Sequence, residues 1–244
     1  MSNNNQIIIS AIILALLLGG LGFIASKTQP LQIKKTTTSS QVVLIDTVTN
    51  TQQFLVAGAV GSDALEQIIK ARTFDQPNTT KLQALVPNVT DTDLIYGNKN
   101  AETMIIEYSD IDCPFCKQVH PNIKQVVDQS NGTVAWVYRH LPLDMHPFAK
   151  PKAIAVECIK TLAGNDSAFT SIGLFMAQIE SSNSKSIDSD IAEVAKQSGI
   201  TDMAKLQTCL SENVGVQKSV ESSLATGNAS GITGTPGLVI VQKI

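Results

Sequence analysis

The sequence has no marked excess of charge of either sign. It carries 18 lysine and arginine residues against 21 aspartate and glutamate residues in 244 positions. A protein that binds nucleic acid needs a basic surface to contact the phosphates, so this balance argues against that class of function. Aromatic residues are also few, at 5% of the chain. The composition fits a globular body of one or two domains with one apolar end.

Basic residues are missing from the start of the chain as well. Residues 1–6 are polar without lysine or arginine, and residues 7–25 are apolar apart from Ser10. That run approaches the roughly 20 residues with which a helix crosses the hydrocarbon core of a membrane. Because a basic start and a small-residue cleavage site are both lacking, we expect an uncleaved signal-anchor. It would be a single transmembrane helix within residues 1–26.

The remaining chain divides by composition into three parts. Residues 27–41 are rich in threonine and serine and are predicted to be a polar tether. Residues 42–90 show two short strand patterns and one helix pattern, and we expect a small accessory region there. Residues 91–244 form the predicted main domain, in which a mostly helical insertion occupies about residues 147–228.

The main domain opens with a strand, a helix and a second strand. Residues 103–108 are β-formers and apolar residues, apolar residues then recur at helical spacing to about Ser130, and residues 133–139 are again strand-like. Two strands joined by a helix favour parallel pairing. The fold class is therefore predicted to be α/β.

Cysteine is scarce, with four residues, and only Cys113 and Cys116 are closely spaced. They lie in Cys113-Pro114-Phe115-Cys116, where the first strand meets the helix. The free N–H groups and the dipole of a helix N-terminus favour an anion, and the thiolate is the attacking species in disulfide exchange. We therefore interpret the pair as redox-active, with Cys113 exchanging with substrate and Cys116 resolving the mixed disulfide.

A structural zinc half-site or a passive disulfide is the alternative interpretation of the pair. Zinc requires two further ligands, and the other cysteines and histidines form no second closely spaced pair: His120, His140, His146, Cys158 and Cys209. We expect no metal and no cofactor. His140 and His146 are expected to cap or pack rather than to take part in the reaction.

Three segments resemble one known family. They are Glu107-Tyr108-Ser109-Asp110 with the cysteine motif, Arg139-His140-Leu141-Pro142, and Gly231-Ile232-Thr233-Gly234-Thr235-Pro236. In this order they are similar to DsbA-like thiol-disulfide oxidoreductases. The resemblance covers about residues 94–241 and implies a thioredoxin-like fold with a helical insertion.

The resemblance also implies roles for residues around the cysteines. Thr235 and Pro236 would bind substrate backbone, with the uncommon cis bond before Pro236. Glu107 would be a buried acid that moves a proton for the second cysteine, although an exposed strand carboxylate is the alternative. Pro114 and Phe115 would tune the redox potential.

Cys158 and Cys209 each lie on an apolar helix face, and some members of this family have comparable cysteines in the helical insertion. A structural disulfide between them is therefore expected if the compartment is oxidising. Two buried free thiols are the alternative.

The end of the chain departs from the family pattern. A partner strand and a closing helix should follow the strand after the proline loop, and these need roughly 17 residues. Only three residues follow Val241. We therefore expect a C-terminally truncated member whose last strand is an unpaired edge.

The activity that the resemblance implies is oxidation of cysteines in exported proteins. These proteins and a membrane quinone-linked thiol oxidase would be the partners. A disulfide reductase or isomerase is the alternative within the fold, and a metal-handling binding protein is the alternative from another class. Lys27, Lys34 and Lys35 favour a cytoplasmic body, but the redox chemistry favours the extracytoplasmic side of the cell membrane, where we expect it.

Overall fold

The computed structural model describes residues 44–46, 51–56, 61–71, 79–80, 86–178 and 186–243. The predicted transmembrane anchor and the polar tether lie outside these residues. No helix within the described ranges has the length and apolar character needed to cross a membrane.

The predicted strand–helix–strand unit is the centre of the fold. Strand β5 (Thr103–Ser109) leads into helix α2 (Pro114–Gln129), and strand β6 (Val134–His140) then pairs with β5 in parallel. Helix α2 runs on through Pro121. The parallel arrangement with a crossover helix is thus confirmed.

Both faces of the two central strands are covered. Ile105 packs in a cluster with the apolar face of α2, whereas its neighbour Ile106 packs in a second cluster on the opposite face. Side chains alternate between the faces of a sheet along a strand. A strand buried on both faces therefore shows a continuous apolar run rather than alternation, as β5 and β6 do.

The sheet formed by the described residues contains more strands than the sequence pattern predicts. Beside β5 and β6 it has β1 (Leu44–Asp46), β2 (Thr51–Val56), β3 (Thr79–Thr80), β4 (Leu94–Gly97) and β7 (Gly237–Lys243), of which β1, β2 and β7 correspond to predicted strands. The strands follow the order β1-β2-β7-β5-β6-β4, with β3 pairing with β2. Strand β4 pairs antiparallel with β6, and β7 pairs antiparallel with β5. Among the described residues, β4 and β1 end the ordered series.

The expectation of an unpaired edge strand is wrong. Strand β2 (Thr51–Val56) pairs antiparallel with β7 over its whole length. Helix α1 (Ser62–Ala71) follows, and its buried Leu65 and Ile68 join the core cluster that contains the apolar face of α2. Residues placed before the thioredoxin elements in the chain therefore supply the partner strand and the covering helix.

Two buried amide side chains fasten these elements together. The Gln53 side chain on β2 accepts from the backbone N–H of Val86 at 2.8 Å and donates to its carbonyl at 3.2 Å. Gln242 on β7 donates to the carbonyl of Ile69 at 3.0 Å. Buried polar groups are stable only when they are paired, so these bonds hold the accessory elements in one arrangement on the sheet.

The helical insertion is confirmed. Its helices are α3 (Ala149–Ala163), α4 (Asn165–Ala177), α5 (Ile187–Gln197), α6 (Met203–Glu212) and α7 (Val214–Ala229). A disulfide bond joins Cys158 on α3 to Cys209 on α6, 51 residues apart in the chain. The second possibility, two free buried thiols, is not what the structure has.

We expect Leu65→Ala to lower the free energy of unfolding by about 2–5 kcal/mol, because Leu65 is fully buried and its truncation leaves a cavity. Urea unfolding of the whole chain measures this. The control is Glu66→Ala, which removes only an exposed ion pair with Lys70 and should cost less than about 1 kcal/mol. Equal effects of the two substitutions would contradict the placement of α1 in the core.

Candidate active site

The turn between β5 and α2 presents Cys113 at the start of the helix. Cys113 is the N-cap residue, with φ −80° and ψ 121°, and Pro114 occupies the first turn. Proline suits that position because its missing N–H has no helical partner there. The carbonyl of Asp110 accepts from the Cys113 N–H at 3.1 Å, and one Asp110 carboxylate oxygen accepts from the Asp112 N–H at 2.7 Å.

Cys113 is the more reactive of the two free cysteines. The Cys116 thiol, which hydrogen-bonds to the Cys113 sulfur, lowers the pKa of Cys113 from 9.0 to about 5. Burial opposes this shift. The Thr235 side chain and the backbone N–H groups of Cys116 and Phe115 add to it. These donors are the free N–H groups expected at a helix N-terminus, so Cys113 is a thiolate at neutral pH.

Cys116 is held as a thiol. It has no exposed surface, whereas Cys113 keeps 4%. Burial is the main cause that raises the pKa of Cys116 far above its ordinary value, and the hydrogen bond to Cys113 and the charge of Glu107 raise it further. The pair therefore divides into an anion that attacks and a proton-bearing thiol beneath it.

The proline loop faces the cysteines. The Thr235–Pro236 bond is cis, and Cys113 Sγ lies 3.5 Å from the carbonyl oxygen of Thr235. The structure thus places Thr235 beside Cys113, although the two residues are 122 positions apart in the sequence.

Glu107 is fully buried on the face of β5 that packs against α2. Its Oε1 lies 3.0 Å from Nε2 of His120, and its Oε2 is buried with no hydrogen-bond partner among the described residues. The exposed alternative is therefore excluded. A buried carboxylate of this kind is available for proton transfer.

His120 is the residue of this site that sequence reasoning missed. The sequence offers it only as a possible zinc ligand, yet in the structure it contacts Glu107 and lies 3.4 Å from Ser109 Oγ. The signal that could have found it is its spacing, because position 120 is four residues after Cys116. Residues at i and i+4 share one face of a helix, so His120 lies on the same face of α2 as Cys116, towards the sheet.

The rim of the site is apolar and exposed. Phe115 is 58% exposed, and Met145 and Phe148 are also exposed. The loop that carries the last two is held by Asp110, whose second carboxylate oxygen accepts from the Leu143 N–H at 2.7 Å and lies 2.9 Å from His146 Nδ1. Asp110 thus connects the cysteine turn to the neighbouring loop.

The two histidines expected to cap or pack have different surroundings. His146 pairs with Asp110 as described, whereas His140 is buried at the end of β6, where its Nε2 lies 3.5 Å from the Glu157 carboxylate. Among the described residues, no group of three or more histidine, cysteine and acidic side chains is arranged to hold a metal ion.

Comparison with known proteins identifies the family. The thioredoxin family model matches residues 89–244. The chain belongs to this family. Its structure is similar to that of DsbA2 from Pseudomonas aeruginosa, at 31% identity over 63% of this chain and 82% of that chain, with a TM-score of 0.53.

Other similar structures support the fold alone. BdbD from Bacillus subtilis is 18% identical, with 65% of this chain and 85% of that chain covered and a TM-score of 0.53.

A curated relative, the Na(+)/H(+) antiporter NhaA 1 of Salinispora arenicola, is 35% identical over 89 residues. That match covers 36% of this chain and only 13% of the antiporter.

The DsbA-like resemblance is thus confirmed. The chain has the fold of this family and carries an asymmetric pair of free cysteines at the start of helix α2.

Replacing Cys116 by alanine should raise the pKa of Cys113 from about 5 towards 9.0, because the Cys116 thiol is the largest contributor to the lowered value. The pH dependence of the alkylation rate by iodoacetamide measures the change. The pKa of Cys113 is lower in the folded protein, at about 5, than in the unfolded chain, at about 9.0. The thiolate therefore stabilises the reduced folded protein fully above pH 9.0, and this stabilisation is lost as the pH falls through about 5. An alkylation midpoint that stays at the wild-type position in Cys116→Ala would contradict this account.

Proposed function

We propose that the protein oxidises reduced cysteines of exported proteins by donating the disulfide of Cys113 and Cys116. A substrate thiolate attacks Cys113 Sγ, the bond between the two cysteines breaks, and Cys116 leaves and takes up a proton. A second substrate thiolate then attacks the substrate sulfur of the mixed disulfide, and Cys113 leaves as a thiolate. The substrate loses two electrons and the cysteine pair gains them.

The lowered pKa of Cys113 is the observation that supports oxidation of the substrate as the direction of the reaction. A site that stabilises the thiolate stabilises the reduced form of the pair, and this makes the disulfide a stronger oxidant. A thiolate of low pKa is also the better leaving group, so release of the oxidised substrate is favoured. Both effects favour the transfer of the disulfide away from the protein.

The surface around Cys113 supports a reduced, unfolded polypeptide as substrate. The exposed side chains of Phe115, Met145 and Phe148 offer apolar contacts, and such contacts do not depend on one substrate sequence. The cis-proline loop beside Cys113 is the proposed binding site for an extended substrate backbone, with Thr235 and Pro236 as the binding residues.

The proposed compartment is the extracytoplasmic side of the cell membrane. The disulfide between Cys158 and Cys209 supports an oxidising environment, and the apolar residues 7–25 support a single-pass anchor. A membrane quinone-linked thiol oxidase would re-form the Cys113–Cys116 disulfide and pass two electrons to the quinone.

We expect the potential of the Cys113–Cys116 pair to lie nearer to DsbA, at about −120 mV, than to thioredoxin, at about −270 mV. Equilibration of the full chain with defined glutathione mixtures measures it. Cys113→Ser should abolish oxidation of a reduced unfolded protein. A potential near −270 mV would show a reductase instead, and tight metal capture without thiol turnover would support the metal-handling alternative.

Two further measurements address substrates and location. Cys116→Ser lacks the resolving thiol and should accumulate mixed disulfides with its substrates, whereas the matched Cys113→Ser variant should trap none. In intact cells that produce the full chain, a membrane-impermeant reductant followed by a membrane-impermeant maleimide should label Cys113 of Cys116→Ser. Labelling only after lysis would place the domain in the cytoplasm and overturn the proposed location.

A further inference from the structure

We infer that His120 relays protons between the buried pair Glu107–Cys116 and an open cavity beside helix α2. The inference rests on thiol-disulfide exchange at Cys113 and Cys116, and it holds for exchange in either direction. His120 acts through Glu107 and Ser109 rather than on the reacting sulfur atoms. It is therefore a positioning and relay residue.

The reaction needs such a route because its proton is exchanged at a sealed position. Cys116 and Glu107 both have no exposed surface, and Ser109 beside them keeps only 1%. When the disulfide opens, the Cys116 sulfur leaves with a negative charge in an apolar surrounding that disfavours it. The proton that neutralises this charge comes from solvent in the end, and none of these three residues provides an opening to it.

His120 bridges the sealed centre and the surface. Its Nε2 lies 3.0 Å from Glu107 Oε1 and 3.4 Å from Ser109 Oγ, and the side chain of Ser109 hydrogen-bonds to Cys116. The His120 side chain is 11% exposed. It lines a cavity of about 580 Å³ together with Pro121, Trp136 and residues of helix α4, which we call the α2–α4 cavity.

Imidazole is suited to this position because it has two nitrogens. A proton taken up at one nitrogen can leave from the other, and imidazole exchanges protons near neutral pH. Edge contacts fix the ring, whose centroid lies 4.7 Å from that of Trp136 and 5.6 Å from that of Tyr138. Nε2 is thereby kept towards Glu107.

The other titratable groups around His120 differ in character. One set is buried between the sheet and helix α2: Glu107, Tyr138 and Cys116. The other set lines the α2–α4 cavity: Tyr96, Lys117, Lys124 and Asp166. Burial raises the pKa of Tyr138 well above its ordinary value, so the phenol keeps its proton. Lys124 is held by Asp128 at 2.6 Å. His120 both lines the cavity and contacts the Glu107 carboxylate.

The proposed step is balanced as follows. His120 gives its Nε2 proton to the Glu107 carboxylate and takes one from water in the α2–α4 cavity. As the Cys113–Cys116 bond breaks, the Cys116 thiolate takes that proton from Glu107, which returns to a carboxylate. The net change is the uptake of one solvent proton by Cys116, and the reverse sequence removes it when the disulfide re-forms.

The test follows reduction of the oxidised full chain by dithiothreitol as a function of pH, with the fluorescence of Trp136, the single tryptophan, as the signal. His120→Gln keeps a side chain that can hydrogen-bond to Glu107 but cannot relay protons. We expect exchange at neutral pH to slow by about tenfold or more. His120→Ala should slow it similarly, and added imidazole should restore the rate by occupying the space that the side chain leaves.

The control is Lys124→Gln, which removes a charge from the same cavity one helical turn away. It should keep the wild-type rate and pH dependence and show no response to imidazole. Unfolding midpoints of all variants exclude loss of the fold, and His120→Gln remains informative if His120→Ala is too unstable.

The outcomes separate the relay from the proposed function. Slow exchange in both His120 variants with rescue by imidazole supports the relay. A wild-type pH profile in His120→Gln, or slow exchange without rescue in a folded His120→Ala, overturns the relay and leaves the exchange reaction intact. Absence of exchange in the unsubstituted protein would overturn the proposed function and the relay with it.

Discussion

The stabilisation of one negative charge at the N-terminus of helix α2 is the interaction on which the site depends. The Cys116 thiol contributes most to it, and the backbone N–H groups of Cys116 and Phe115 add to it. Cys113 reaches these groups because β5 ends at Ser109 and the turn held by Asp110 places the cysteine at the start of the helix. One turn further, Cys116 faces the sheet and lies out of solvent. The same helix thus carries one cysteine with a lowered pKa and one with a raised pKa. Each cysteine contributes to the pKa shift of the other.

This asymmetry requires a polar centre inside an apolar layer. Glu107 lies on the face of β5 that carries Ile105, where burial of a carboxylate is costly unless it is paired. His120 provides that pairing for one oxygen, while the other has no partner in the described part of the chain. An incompletely paired buried acid is unfavourable for stability but useful for proton transfer. In the relay that we infer, this cost falls on a group that both holds and releases a proton.

The local parts of the fold and site could be predicted from the sequence, whereas the long-range parts could not. The β5–α2–β6 unit follows from the apolar runs, and Cys113 and Pro236 follow from their motifs. The pairing of β2 with β7 joins residues nearly two hundred positions apart, and no local pattern specifies such a partner. The four residues of β4 are too few for a clear periodicity. His120 was missed because its role depends on which sheet residue its helix face covers.

The paired edge of β7 has a consequence for the active site. The cis-proline loop leads directly into β7, so the position of Thr235 opposite Cys113 depends on how firmly that strand is held. Pairing with β5 on one side and β2 on the other fixes the strand along both edges, and the bond from Gln242 to helix α1 fixes its far end. Strand β2 and helix α1, which contain no reacting group, thereby help to position the loop that faces the thiolate. The accessory region is then part of what keeps the two halves of the site, separated by more than a hundred residues, at a working distance.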